Sequence, residues 1–193
     1  LEITPRAVTL TSETASKPYD GTALTKPDVT GWEQTSDTGF VTGEVSGVTA
    51  TGSVTTVTEG EVTNTIVYTE ETGFKADNYT IEKKEGKLKI TESTTDLTVT
   101  LKSKSYVYDG MDHALPEEAT TNAVGGTTKI EYSKDGSTWV TDLSTLSAKD
   151  VSDSCEISVR ASNPNYANTA ASSAQLEITP RAVTLTSETA SKP

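Results

Sequence analysis

The eighteen residues LEITPRAVTLTSETASKP at 1–18 return letter for letter at 176–193. Identity over that length does not arise by chance, so the 193-residue sequence carries a period of 175 residues. A weaker half-repeat lies inside the period. Leu1-Glu2-Ile3-Thr4 returns as Leu88-Lys89-Ile90-Thr91 and again as Leu176-Glu177-Ile178-Thr179. Ala7-Val8-Thr9-Leu10 returns as Thr98-Val99-Thr100-Leu101, Tyr19-Asp20-Gly21 as Tyr108-Asp109-Gly110, and Asn78-Tyr79 as Asn165-Tyr166. Four markers in one order define two related modules of about 88 residues that alternate along a longer protein. The Leu-x-Ile-Thr run closes one module, and the next opens with almost no linker. Modules are therefore expected at 5–91 and 92–180. Residues 1–4 would be the last strand of a preceding module, and 181–193 the weakly held first strand of a following one.

Only 36 of the 193 residues are Leu, Ile, Val or Phe, and the formal net charge is −12. Those values fall in the range of disordered chains. Pattern reverses that reading. Cys155, Ile157, Val159 and Ala161 share one parity, with Glu156, Ser158 and Arg160 on the other, which is the period-2 signature of a strand with one buried face. The same alternation runs through Leu97, Val99 and Leu101, through Leu88 and Ile90, and through Ile130 and Tyr132. The 37 Thr and 20 Ser suit the wet face of such a sheet, where β-branched side chains fit the pleat. An antiparallel sheet wet on one side needs only half its strand residues apolar. Asp135-Gly136 predicts one hairpin, and Lys83-Lys84-Glu85-Gly86 a second one between Tyr79–Ile81 and Leu88–Ile90. Leu143–Val151, the best helical candidate, is short enough to be a turn. The expected fold is all-β, with two tandem Ig-like antiparallel β-sandwich modules; β-grasp-like modules are the alternative.

The markers have physical readings. In Tyr19-Asp20-Gly21 and Tyr108-Asp109-Gly110 the tyrosine ring can anchor a turn that Asp-Gly makes. Asn78-Tyr79 and Asn165-Tyr166 can stop one strand and start the next with a buried Tyr, as a tyrosine corner does in Ig-like sandwiches.

Chemistry is thinly represented. His113 has no second His or Cys to complete a metal or acid–base site and reads as a surface-loop residue. Cys155, the sole cysteine, is in phase with Ile157 and Val159 and reads as a small buried hydrophobe. The pairs Glu59/Glu61, Glu70/Glu71 and Glu117/Glu118 lack the ligand density of a calcium loop and read as solvated charge. The chain is thus expected to be no enzyme, with no catalytic residue, cofactor or metal. The acidity argues against a nucleic-acid partner. No run approaches the roughly 20 apolar residues of a membrane helix.

The tyrosine turns, Asn163-Pro164-Asn165-Tyr166 and the closing Leu-Glu-Ile-Thr-Pro resemble the YDG/MBG-type Ig-like repeats of bacterial surface proteins. The likeness is fullest from Tyr106 through Thr179. It implies tandem β domains in a secreted, extracellular protein attached to a bacterial cell wall. It also implies a non-catalytic stalk or spacer in an adhesin-like protein, whose partners are the neighbouring modules of its own chain. A monomer is expected. Two alternatives remain: an adhesion module for host glycan or protein, and accessory domains of a large secreted enzyme. Binding would use an exposed aromatic, for which Trp32, beside Gly31 and outside any alternating run, is the candidate.

Overall fold

Strands dominate the computed structural model, which describes residues 3–189; the other regular elements are four single 3-10 turns. The chain divides into two compact units. One holds the residues up to Asp96 together with Val124–Thr127 and Pro164–Ala167. The other holds Leu97–Ala123, Thr128–Asn163 and the residues from Asn168 onward.

In the first unit the strands are β1 (Arg6–Ser12), β2 (Ala15–Pro18), β3 (Leu24–Thr25), β4 (Val29–Thr30), β5 (Val45–Ala50), β6 (Ser53–Val54), β7 (Glu61–Asn64), β8 (Ile66–Glu70), β9 (Tyr79–Lys84) and β10 (Gly86–Thr91). β1 lies between antiparallel β4 and parallel β9. β10 lies between parallel β2 and antiparallel β7. β5 pairs with β8 and β3 with β6, both antiparallel. Val8 and Leu10 of β1, Val29 of β4 and Tyr79 of β9 share one core with Val45 of β5 and Ile66 of β8, so two layers close on one apolar interior.

Two expectations are corrected here. The sheets are mixed, because the first and last strands of the unit run side by side and parallel. Nor is Lys83–Gly86 a hairpin: β9 pairs with β1, β10 pairs with β2 and β7, and Glu85 carries the chain from one sheet to the other. Glu13 and Thr14 make the same transfer between β1 and β2, so two segments cross together. The crossing is tight. A Cβ on Gly86 would lie 2.2 Å from the Glu13 carbonyl oxygen and 2.4 Å from its carbon. Buried Ser12 fastens the crossing: its hydroxyl donates to Asn64 O (2.6 Å) and accepts from Gly86 N–H (3.0 Å).

The second unit contains β11 (Val99–Thr100), β12 (Lys104–Val107), β13 (Thr120–Thr121), β14 (Lys129–Ser133), β15 (Cys155–Ser162) and β16 (Ala170–Thr179). Its main sheet has the order β12-β16-β15-β14, with β12 and β16 parallel, and β11 pairs with β13. The predicted parity holds at Ile157, Val159 and Ala161 and at Leu97, Val99 and Leu101, all buried. Cys155 departs from it. It opens β15 opposite Leu176 and is only half-buried. The Asp135-Gly136 turn brings Tyr132 and Val140 into an antiparallel bridge with bonds of 2.8 and 2.9 Å. Leu143–Thr145 and Val151–Asp153 are single 3-10 turns.

Identical letters take different structures in this chain. Leu176 and Ile178 of β16 are 0% and 1% exposed, whereas Ile3, in the first copy, is 87% exposed and outside any strand. Val8 and Leu10 of β1 are 1% and 0% exposed, whereas Val183 and Leu185 are 77% and 91% exposed. Residues 181–189 form no strand, although the sequence predicts one, because no other described strand pairs with them. Leu1, Glu2 and residues 190–193 lie outside the described residues. A β-strand is a partnership, and local propensity does not supply the partner.

Replacing Gly86 with Ala forces the Glu13–Thr14 backbone aside. The expected cost is about 1–3 kcal/mol, typical of overpacking, read as a lowered urea midpoint with an unchanged slope. An unchanged midpoint would show that the crossing tolerates a methyl group.

Candidate functional site

The two Tyr-Asp-Gly turns share one backbone design. Tyr19 N–H donates to Thr91 O (2.8 Å) and Tyr108 N–H to Thr179 O (2.9 Å). Asp20 Oδ1 accepts from Thr22 N–H, and Asp109 Oδ1 from Met111 N–H, each at 2.9 Å. The following glycines, Gly21 and Gly110, have φ of 81° and 82°, a left-handed conformation that disfavours other residues. Both carboxyls are held below the usual range. For Asp20 the main cause is the Lys17 ammonium at 2.9 Å, with Thr22 behind it. For Asp109 it is the Met111 N–H, followed by His113.

The rings have different fates. Tyr19 is buried within the first unit. Its hydroxyl donates to Val124 O, and its ring meets Tyr166 edge-on, 6.0 Å between centroids at 71°. Val124 N–H in turn donates to the Tyr166 hydroxyl (2.9 Å). A Cβ on Gly21 would lie 2.6 Å from Val124 Cγ1, so the glycine also admits that side chain. Tyr108 is 38% exposed, and its hydroxyl has no partner among the described residues. Beside it, Tyr106 stacks on His113 at 4.2 Å and 16°, and His113 Nε2 lies 2.9 Å from Asp109 Oδ1. His113 is therefore no loose surface residue. Its backbone also bridges Ala148 in both directions at 2.8 Å, so the ring braces the turn.

One Asn-Tyr marker starts a strand as expected; the other makes only an isolated bridge, and the next strand begins at Ala170. Tyr79 opens β9 and pairs with Arg6, while Tyr166 forms a parallel bridge to Ser93. Both tyrosines are buried. Tyr79 donates to Glu44 Oε2 (2.5 Å) and accepts from Val41 N–H (3.1 Å); burial, then Glu44, pushes its phenol up. Asn165 is buried, accepting from Val57 N–H at Oδ1 (3.0 Å) and from Ser93 N–H at its carbonyl (2.9 Å). Asn78 is exposed and ends a 3-10 turn.

Trp32 is half-buried against Phe40's core cluster and borders an open cavity of about 410 Å³ with Gln34, Phe40, Thr42 and Val45. Gln34 Oε1 accepts from Thr42 N–H and Oγ1–H, both at 2.8 Å, fixing the polar rim. Sequence reasoning missed a second aromatic group. The Arg160 guanidinium lies 4.1 Å from the centre of Trp139's ring while bonding Glu131 at 2.9 Å. The register that sets Glu131 opposite Arg160 creates that pair, and opposite charges on facing strands were the available signal. Lys129 at 2.7 Å joins them and, with Arg160, holds the Glu131 carboxyl low.

No family model matches the chain, and no curated protein matches it. A similar solved structure is the crystal structure of the titin domains Z1Z2 in complex with telethonin, 16% identical, covering 90% of this chain and 94% of that one, with a TM-score of 0.39. A likeness at that level carries no functional argument.

The two turns give a paired test. Tyr19→Phe removes a buried hydrogen bond and is expected to cost about 1 kcal/mol. Tyr108→Phe removes a hydroxyl with no partner and should stay within about 0.5 kcal/mol of the parent. Urea unfolding of both variants measures the contrast; equal costs would contradict the different roles assigned to the rings.

Proposed function

We propose that this chain is a non-catalytic spacer, a segment of a tandem-repeat stalk on the surface of a bacterium. The observation that carries the reading is the duplicated turn. The same three residues recur after 89 positions with the same backbone bond to a Leu-x-Ile-Thr strand, the same aspartate turn and the same glycine conformation. The exact recurrence of residues 1–18 at 176–193 adds that the pattern repeats at longer range. Such repetition suits a part whose role scales with length. The side chains with most chemical potential support the reading, since His113 is spent on bracing a turn and Cys155 sits half-buried at a strand end. The spread of acidic residues suits an extended array of like-charged modules in solvent. Placement outside the cell follows the resemblance to wall-attached repeats.

Small-angle scattering on arrays of one, two and three periods tests this reading. The maximum dimension should grow by a constant step, roughly 60–80 Å per 175 residues if strands of this length stand end to end. Growth as the root of the period number, the mark of freely jointed modules, would overturn it.

A second reading has one observation in its favour, the cavity beside Trp32. Its size and its mix of aromatic, amide and hydroxyl groups suit a small glycan. Fluorescence titration of a Trp139→Phe variant isolates Trp32. A saturable shift with a defined oligosaccharide, abolished by Trp32→Ala, would favour adhesion; a flat response across cell-surface glycans would leave the spacer reading alone.

A further inference from the structure

We propose that the Tyr108 turn of one copy of this chain seats on the Val41–Tyr79 surface of a second copy. Residues 181–187 of the first copy take the place of β1 in the second. This goes beyond the spacer reading and does not rest on it.

The seat is already built once within the first unit, from Tyr19, Gly21, Val124 and Tyr166. Each member has a counterpart: those of Tyr19 and Val124 are exposed, and that of Tyr166 is itself buried, its ring stacked on Phe74. Tyr108 corresponds to Tyr19 and Gly110 to Gly21, with the same turn geometry. Tyr79 corresponds to Tyr166, and Val41 corresponds to Val124 because each valine N–H donates to the tyrosine hydroxyl, at 3.1 and 2.9 Å. Where a Cβ on Gly21 would strike Val124, a Cβ on Gly110 would meet nothing within 4 Å. Tyr108 borders a cavity of about 440 Å³ with Val151, Pro180 and Val183. Tyr79 and Val41 border one of about 400 Å³ with Pro5 and Arg6. The Val41 carbonyl accepts from Glu44 N–H and has a second lone pair for the Tyr108 hydroxyl, as Val124 O has for Tyr19.

Strand exchange follows from the same correspondence. Tyr19 binds Thr91, and two residues later Ser93 pairs with Tyr166. Tyr108 binds Thr179, so Arg181 would pair with Tyr79 of the other copy, the place its own Arg6 holds. Arg181 to Ser187 repeats Arg6 to Ser12 letter for letter. Val183 and Leu185 can therefore make every contact of Val8 and Leu10, and Arg181 can make Arg6's bonds to the carbonyls of Gly39 and Thr38. Exchange leaves the strand contacts even and adds the burial of Tyr108. The interface joins two unlike surfaces, so it is heterologous and each copy can engage two others.

The full chain, refolded from urea at high concentration and followed by sedimentation velocity, tests the proposal. Refolding is needed because β1 is gripped between β4 and β9 and leaves only when the unit opens. The parent should give dimers and larger species. Tyr108→Ala, Val41→Asp and the double variant Val183→Asp/Leu185→Asp should each stay monomeric. All change partly or fully exposed side chains, and an unchanged urea midpoint checks the fold of each. Refolded together, Val41→Asp and Tyr108→Ala retain one matching pair of surfaces and should form dimers and nothing larger. A parent that stays monomeric, variants that associate as the parent does, or a mixture without dimers would each overturn the proposal.

Discussion

The parallel pairing of first and last strands is the constraint from which the rest follows. β1 lies along β9 and β2 along β10 in the first unit, and β12 lies along β16 in the second. Parallel strands cannot be joined by a tight turn, so everything between them must be spent reaching the far end and returning. In the first unit that return brings in β5 and β8, which complete the core under Val8 and Leu10. Because both members of the parallel pair then change sheets at the same level, they must cross in close contact. Gly86, Ser12 and Asn64 are the residues that permit it. A chain with so few large apolar side chains has little core to hold such a crossing, and the buried hydroxyl bonded at both faces supplies direction that apolar packing alone lacks.

The same constraint explains why one sequence is strand in one place and not in another. Arg6–Ser12 owes its structure to residues 29–30 and 79–84. Its duplicate at 181–187 has the same β-branched residues and the same alternation, and is exposed. Propensity is equal in the two copies, so the difference is wholly one of partners.

Parity was legible because it is local: the buried face of β15 and the Leu97-Val99-Leu101 run can be read from alternation alone. The Asp135 turn was legible for a like reason, since the geometry that closes it lies within six residues. The crossing was not. Lys83-Lys84-Glu85-Gly86 announces a change of direction, but the reason for its glycine is Glu13, more than seventy positions away. The tyrosine turns divide in the same way. Their backbone form follows from Asp and Gly, whereas the burial of Tyr19 and the exposure of Tyr108 depend on whether a valine and a second tyrosine stand over the ring. Trp139 went unweighed because its partner, Arg160, reaches it only through the register of β14 and β15.

Thin cores and long-range pairing have a consequence for how such modules would behave in series. A unit whose first strand is held by a parallel partner at the end of the unit closes only after its whole length is made. The contacts that define it are also the slowest to form. Until then the first strand is an unpaired edge with two buried-type side chains in water, and a neighbouring copy with the same letters is an equally good host. Divergence between the two halves of the 175-residue period reduces that hazard at short range. Leu97-Thr98-Val99-Thr100-Leu101 does not carry the Arg that anchors β1 to the carbonyls of Thr38 and Gly39. Exact identity returns only after a full period. Sequence divergence within the period is thus a physical guard for a repetitive chain whose strands must find a distant partner.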